Sequence, residues 1–321
     1  MTAPHPVETR PDPQNALALA RRWGPRLLPV LLLAGAAYVL WRQLHHLSIQ
    51  ELARALAAWG PWRIGASVIF CLLSYLTLAL NEWAGLRWAG RPLSLKAVLY
   101  GSFCANAFGH SLGSAVVVGA AVRLRTYAPY RVSLADIIKT TAFCNVSFAL
   151  GLAVIAGWGL VQAPASELHA VHLAPWFARL VGGLFLGSIP AYVAACAVLR
   201  GPLRILGHSF LMPSAGWALA QVAIGVVDNI LTVLIVWILL PSGSVGLSAF
   251  TGAFAVATFT GIVSAVPAGA GVFEGVVLTL LPHAAKAPLA AAFVGYRLFY
   301  YLIPLAFAGA MMLLQRRDKA A

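Results

Sequence analysis

Charge is what this sequence has least of. Only 10% of its 321 residues are Asp, Glu, Lys or Arg, and nine of them are acidic. A soluble domain carries roughly 25% charged residues, so this chain cannot clothe a globular surface in water. Cysteine is scarce as well. Cys71, Cys104, Cys144 and Cys196 each lie inside an apolar run, and no pair has metal-ligand or redox spacing. That excludes a secreted disulfide scaffold and a zinc module, and leaves four small buried hydrophobes. Motifs for catalysis are missing too. There is no Walker A lysine, and Gly269–Gly275 (GAGVFEG) has the wrong glycine spacing and no strand context for a dinucleotide site. His45-His46 stands without further ligands nearby. The expectation is no catalytic residues, no metal and no cofactor, and no ATP-driven pumping by this chain.

What is abundant is apolar. Hydrophobic residues make up 61% of the chain, against roughly 45–50% in soluble proteins, and mean hydropathy is +0.84. The surplus must face lipid. The formal net charge of +13 sits in short connections between apolar runs, where positive charge reports membrane orientation. No basic face with interleaved aromatics exists outside those runs, so nucleic acid is not an expected partner.

Residues 1–23 are polar, with Pro6, Pro11, Pro13 and three arginines, and read as a disordered cytoplasmic tail. Leu27–Trp41 is a short apolar run whose length also fits a signal peptide. It ends in Trp41-Arg42 without a clear small-residue cleavage site, which favours an uncleaved first helix. Residues 49–58 have amphipathic helical spacing suited to the interface. Longer apolar stretches follow at Ile64–Trp88, Ala97–Val122, Ile137–Val161, Trp176–Leu199, Trp217–Leu240, Leu247–Leu281 and Ala287–Leu314. A spanning helix needs ~20 residues. Two stretches are interrupted near their middles, one around Gly109 and Gly113, the other around Pro267, Gly269 and Gly271. Such breaks free backbone groups that lipid cannot satisfy, so they are tolerated only against protein or a wet cavity.

Basic residues decide how the interrupted stretches run. If both turn back as re-entrant hairpins and the N-terminus is inside, 16 of the 22 basic residues are cytoplasmic. Five are then external (Arg42, Arg54, Arg63, Arg179 and Lys286), and Arg297 lies within the last span. If both stretches cross, the split falls to 11 against 10. The positive-inside rule selects the hairpins. The predicted fold is therefore an all-α polytopic membrane protein with six spanning helices and two re-entrant helical hairpins, both termini cytoplasmic. One membrane domain covers residues 24–315, followed by a short cytoplasmic tail at 316–321. Within it, units at about 64–161 and 216–314 run in opposite senses, the hydropathy pattern of an inverted repeat.

Five ionisable residues fall in or at the ends of these segments: Glu82, Asp136, Asp228, Glu274 and Arg297. Each needs a partner or a wet cavity, since a mid-bilayer charge costs at least ~2.5–3.5 kcal/mol. Glu274 and Arg297 are expected to pair, either fixing the second hairpin or lining a headgroup cavity. Asp228 and Asn229 lie mid-span and could face the same cavity. Asp136 and Lys139, at i,i+3 spacing, suggest a local surface pair, and Glu82 a side chain reaching the interface. His110, at the first hairpin tip, suits phosphate binding or titration, or a hydrogen-bonded structural role. Arg123 and Arg125 suit either phosphate recognition at inner headgroups or topological anchoring.

Two segments resemble the transmembrane domain of the lysylphosphatidylglycerol synthase/flippase family. One is Phe108-Gly-His-Ser-Leu-Gly113 with Arg123-Leu-Arg-Thr-Tyr127. The other is Pro267-Ala-Gly-Ala-Gly-Val-Phe-Glu274 with Tyr296-Arg297, Tyr300-Tyr301 and Pro304. The resemblance runs from about residue 60 onward, and Ala268-Gly269 stands where the family commonly has adjacent glycines. It implies a lipid-translocating membrane domain in a bacterial inner membrane. The chain stops at Ala321, so the family's aminoacyltransferase domain and its activity are not expected here. Single-domain relatives linked to hopanoid synthesis widen the implied lipid partners to anionic, aminoacylated or hopanoid lipids. The expected function is a lipid flippase whose headgroup site draws on Glu274, Arg297, Asp228, Tyr300 and Tyr301. The alternative is a non-transporting accessory protein that holds a lipid-synthesis enzyme. A homo-oligomer or such an enzyme would then be a protein partner.

Overall fold

The computed structural model describes residues 57–317, except 113–114, 166–167, 169–171, 200–201, 206–207, 265–268 and 270, together with positions 50 and 54. The tail at 1–23, the run Leu27–Trp41 and most of the amphipathic segment lie outside the described residues. So do Gly113 and Pro267 of the two breaks and the last four residues.

Among the described residues five helices are long and apolar enough to cross a membrane. They are α1 (Pro61–Trp88), α4 (Leu134–Gln162), α5 (Pro175–Val198), α6 (Ala215–Trp237) and the composite helix Lys286–Leu314. Proline in the first turn opens α1 and α5, where its missing N–H costs nothing. A capping box opens α4: Ser133 Oγ accepts from Asp136 N at 3.1 Å, and Asp136 Oδ2 accepts from Ser133 N at 3.3 Å. The interrupted stretches become pairs of shorter helices, α2 (Leu95–Ser111) with α3 (Ala115–Thr126), and α7 (Leu247–Val263) with α8 (Val272–Leu280). At 1.5 Å per residue α3 and α8 reach only about 18 and 13 Å, short of a ~30 Å hydrocarbon core. The fold is all-α apart from a two-stranded ribbon, β1 (Pro202–Ile205) and β2 (His208–Leu211), in the link from α5 to α6.

Contacts between the helices fix their directions. Ser67 Oγ donates to Ile235 O (3.0 Å) and Ser74 Oγ to Asp228 Oδ1 (2.6 Å), so α1 and α6 run antiparallel. Asn81 Nδ2 donates to Cys144 O (3.4 Å), while Arg91, just past α1, meets Asp136 in the first turn of α4 at 2.8 Å. Thus α1 and α4 are also antiparallel, and the intervening α2–α3 segment returns to the end from which it set out. A single crossing at 97–122 would have made them parallel. The second pair repeats this from the other end. Leu239 at the end of α6 lies against Gly295, and Tyr300 reaches the Ser74–Asp228 bond, so α6 and the last span are antiparallel.

The two halves correspond in order: α1, α2–α3 and α4 match α6, α7–α8 and the last span. Each half's hairpin packs on the other half's closing span, α2 on Ile303–Arg317 and α7 on α4. Where α4 and α6 run side by side, Gly151 and Gly225 face each other, and a methyl group on either would overlap the opposing backbone. Small residues of this kind are what allow close helix approach in lipid.

Candidate functional site

The last span is built from α9 (Lys286–Tyr296), a π-helical turn over Arg297–Leu302, and α10 (Ile303–Arg317). Pro304 supplies no backbone N–H, and the wider turn shifts the usual helical pairing. Neighbouring side chains take up carbonyls in the turn. Cys71 Sγ donates to Phe299 O (3.1 Å) and Tyr75 OH to Tyr300 O (3.1 Å). Ser111 Oγ, which donates to Ala107 O at 2.8 Å, lies 3.4 Å from Tyr301 O. The turn is thus held by α1 on one side and by the tip of the first hairpin on the other.

Aromatic rings fill the space around it. His110, in the last turn of α2, stacks on Tyr300 (5.4 Å between centroids, 17°), and Tyr300 stacks on Tyr296 (5.4 Å, 18°). Tyr301 meets Tyr296 edge-on at 5.3 Å, and the Arg297 guanidinium carbon lies 4.9 Å from the Tyr301 centroid. His110 Nδ1 is buried and has no hydrogen-bond partner among the described residues.

From the opposite end the second hairpin delivers Glu274. Gly269 (φ 62°) and Gly271 (φ 81°) turn the chain through the left-handed region that glycine tolerates without strain. Glu274 follows in the first turn of α8. Its Oε2 accepts from Gly271 N at 2.8 Å, and its Oε1 accepts from Arg297 Nη2 (2.7 Å) and Nε (3.1 Å). The carboxylate therefore caps α8 and locks the hairpin tip to the π turn. The Arg297 side chain is 6% exposed and that of Glu274 is 25%, so the pair is reachable from the Glu274 side.

Asp228 lies behind this cluster rather than beside Glu274. Ser74 Oγ donates to its Oδ1 and sits 3.2 Å from Tyr300 OH, linking Asp228 to the tyrosine stack through one hydroxyl. Asn229 turns away. Its Nδ2 donates to Gly225 O (2.9 Å) and Phe148 O (3.3 Å), joining α6 to α4, so its expected place in the cavity is corrected to a helix-packing role.

Other expectations also change. Glu82 does not reach the interface: it is fully buried and takes Arg123 Nε and Nη2 at 2.9 and 2.8 Å, with Tyr127 OH at 2.8 Å. Arg123, 5% exposed, is therefore committed to a buried bidentate pair and is not presented to headgroups. Burial drives it there, because neither charge could remain unpaired away from water. Arg125, two residues on, is half-buried. Asp136 pairs with Arg91 rather than Lys139, which is exposed. Gly109 is no break, since α2 runs through it to Ser111. Sequence reading missed the π turn, Ser74 and Tyr75, and the Glu82–Arg123–Tyr127 cluster. Pro304 following a tyrosine pair signalled the first. Nothing local signals which arginine a lone glutamate will meet across 41 residues.

Opposed hairpins closing on an irregular turn of a spanning helix define the class: a polytopic all-α membrane protein with helical hairpins at membrane depth. The chain belongs to the family described as the lysylphosphatidylglycerol synthase TM region, which matches residues 27–308. It is 32% identical over 283 residues to the uncharacterized protein slr0712 of Synechocystis sp., covering 86% of this chain and 87% of that one. It is 29% identical over 255 residues to the inner membrane protein YbhN of Escherichia coli, covering 76% and 77%. A phosphatidylglycerol lysyltransferase of Staphylococcus haemolyticus is 22% identical over 294 residues, which is 88% of this chain but 34% of that longer protein.

Proposed function

We propose that this chain is a lipid translocator of a bacterial inner membrane, passing the headgroup of a phospholipid or related lipid between leaflets while the tails stay in the bilayer. One observation carries the reading: two helical hairpins set out from opposite ends and meet on the same π turn, with the Glu274–Arg297 pair at the junction. Irregular backbone at membrane depth is costly unless a cavity or protein surrounds it. A pair of this kind at a hairpin tip is a natural gate. A headgroup phosphate competes with Glu274 for the guanidinium, which favours bidentate oxyanions, and exchange of partners releases the second hairpin. Oppositely directed units give alternating access by rocking one against the other. The family and the relative named as an inner membrane protein support the location, and the distribution of basic residues supports cytoplasmic termini. On this reading the chain itself is not an enzyme.

Reconstitution into liposomes carrying a leaflet-specific lipid probe tests it, with anionic, aminoacylated and hopanoid lipids compared. The expected result is faster transbilayer movement of at least one class, lost in Glu274→Gln and Arg297→Met. No acceleration for any of them, with stable copurification of a lipid-modifying enzyme, replaces the reading with an accessory role.

A further inference from the structure

Four acidic residues fall among the described residues, and three of them are answered by an arginine. Glu82 holds Arg123, Asp136 holds Arg91 and Glu274 holds Arg297. Asp228 has no basic partner among the described residues, although it is 5% exposed and lies in the middle of a spanning helix. Its place is central to the fold as well. The Ser74–Asp228 bond joins corresponding positions of α1 and α6, the opening helices of the two opposed halves.

The groups around it are neutral hydrogen-bonding ones. From α1 come Ser74 and Tyr75, and from the last span Tyr300, with His110 of α2 stacked behind it. Arg297, one turn before Tyr300, is held by Glu274. The face of α4 toward α6 presents Ser147 and Gly151, α7 carries no titratable side chain, and Tyr192 of α5 is bound to Gln221. A carboxylate so enclosed needs a cation, and the smallest that the space accepts is a proton.

We propose that Asp228 is a proton-binding site that couples lipid movement to the transmembrane proton gradient. The inference rests on the translocator reading above. A proton arriving from one aqueous face forms one O–H bond on the Asp228 carboxylate and neutralises it. The same bond breaks, and the proton leaves to the other aqueous face, when the halves rock and open the α1–α6 contact to that side. Ser74 serves both states, because its hydroxyl donates to the carboxylate, and its contact with Tyr300 OH can run in either direction. The protonated state lets α1 and α6 close on each other dry, whereas the ionised state favours an open, hydrated contact.

Two measurements on the full-length protein test this. Infrared difference spectra across a pH titration in proteoliposomes should show a protonated-carboxyl band at neutral pH that persists in Glu274→Gln and vanishes in Asp228→Asn. The missing band, or its survival in Asp228→Asn, overturns the proposal without reference to transport. In the same vesicles an imposed pH gradient should skew the steady-state leaflet distribution of the transported lipid at least tenfold in the wild type. Asp228→Asn, which keeps the shape and the bond to Ser74, should abolish the skew. Ser74→Ala, with correct folding verified by thermal unfolding, should move the pH at which the carboxyl band titrates. Lipid movement indifferent to the gradient overturns the coupling alone. No lipid movement under any condition overturns the translocator reading and the coupling with it.

Discussion

Two arginine–glutamate pairs show how differently one interaction type can be used. Glu82–Arg123 is closed off, with both side chains at most 6% exposed and Tyr127 OH completing the carboxylate's shell. Breaking such a pair by removing one partner strands the other charge, at a cost of about 3–5 kcal/mol. Glu82→Gln should therefore lower thermal stability in detergent by that order. The double variant Glu82→Gln/Arg123→Met should be milder than the single one, which differential scanning fluorimetry can read. Glu274–Arg297 is half open on the carboxylate side, so its loss should act on transport before stability. Arg297→Met is expected to reduce lipid movement at least tenfold with a smaller stability change than Glu82→Gln. Tyr75 acts as a hydrogen-bond donor to a disturbed backbone. Tyr75→Phe leaves the Tyr300 carbonyl without its donor and should cost about 1–3 kcal/mol.

Helices here are specialised by what they lack. α4 and α6 lie close because Gly151 and Gly225 remove side chains from the line of contact, and Ser147 Oγ closes the seam by donating to Gln221 O at 2.7 Å. With lipid as the solvent, packing and such bonds, rather than water exclusion, hold helices together. Gly225→Ala is accordingly expected to force the pair apart, at a cost of about 1–3 kcal/mol typical of overpacking, while the analogous change at Gly183, which faces open space, should be silent. Unfolding in detergent compares the two directly. The π turn is an element of the same kind: it trades regular helix bonds for a wider face that points tyrosines and Arg297 at two hairpin tips at once.

At the scale of the whole molecule, direction is the decisive property. The bases of the two hairpins lie at opposite ends, so single cysteines at Arg131 and Ser242, in a background without the native four, should react with an impermeant maleimide from opposite faces of the membrane. Arg131 should be protected in intact cells and Ser242 labelled. With the N-terminus inside, the reverse pattern, Arg131 labelled and Ser242 protected, would mean that the first interrupted stretch crosses. Much of this was legible in the sequence. The apolar runs located the spans to within a few residues, and the arginine count indicated that the interrupted stretches turn back, because insertion energetics act on local composition. The glycines at 269 and 271 marked a real turn for the same local reason, whereas Gly109 proved compatible with ordinary helix.

The sequence by itself determined that this chain lives in lipid and where its long apolar helices lie. Those properties follow from residue-by-residue transfer energies and from backbone limits that need no distant partner. Only the tertiary structure decided which charges meet. Glu82 took Arg123 from the first hairpin, Asp136 took Arg91 instead of its neighbour Lys139, and Asp228 was left with a serine. In a low-dielectric interior a charge pairs with whatever the packing brings within about 3 Å. That choice belongs to the arrangement of helices and not to spacing along the chain.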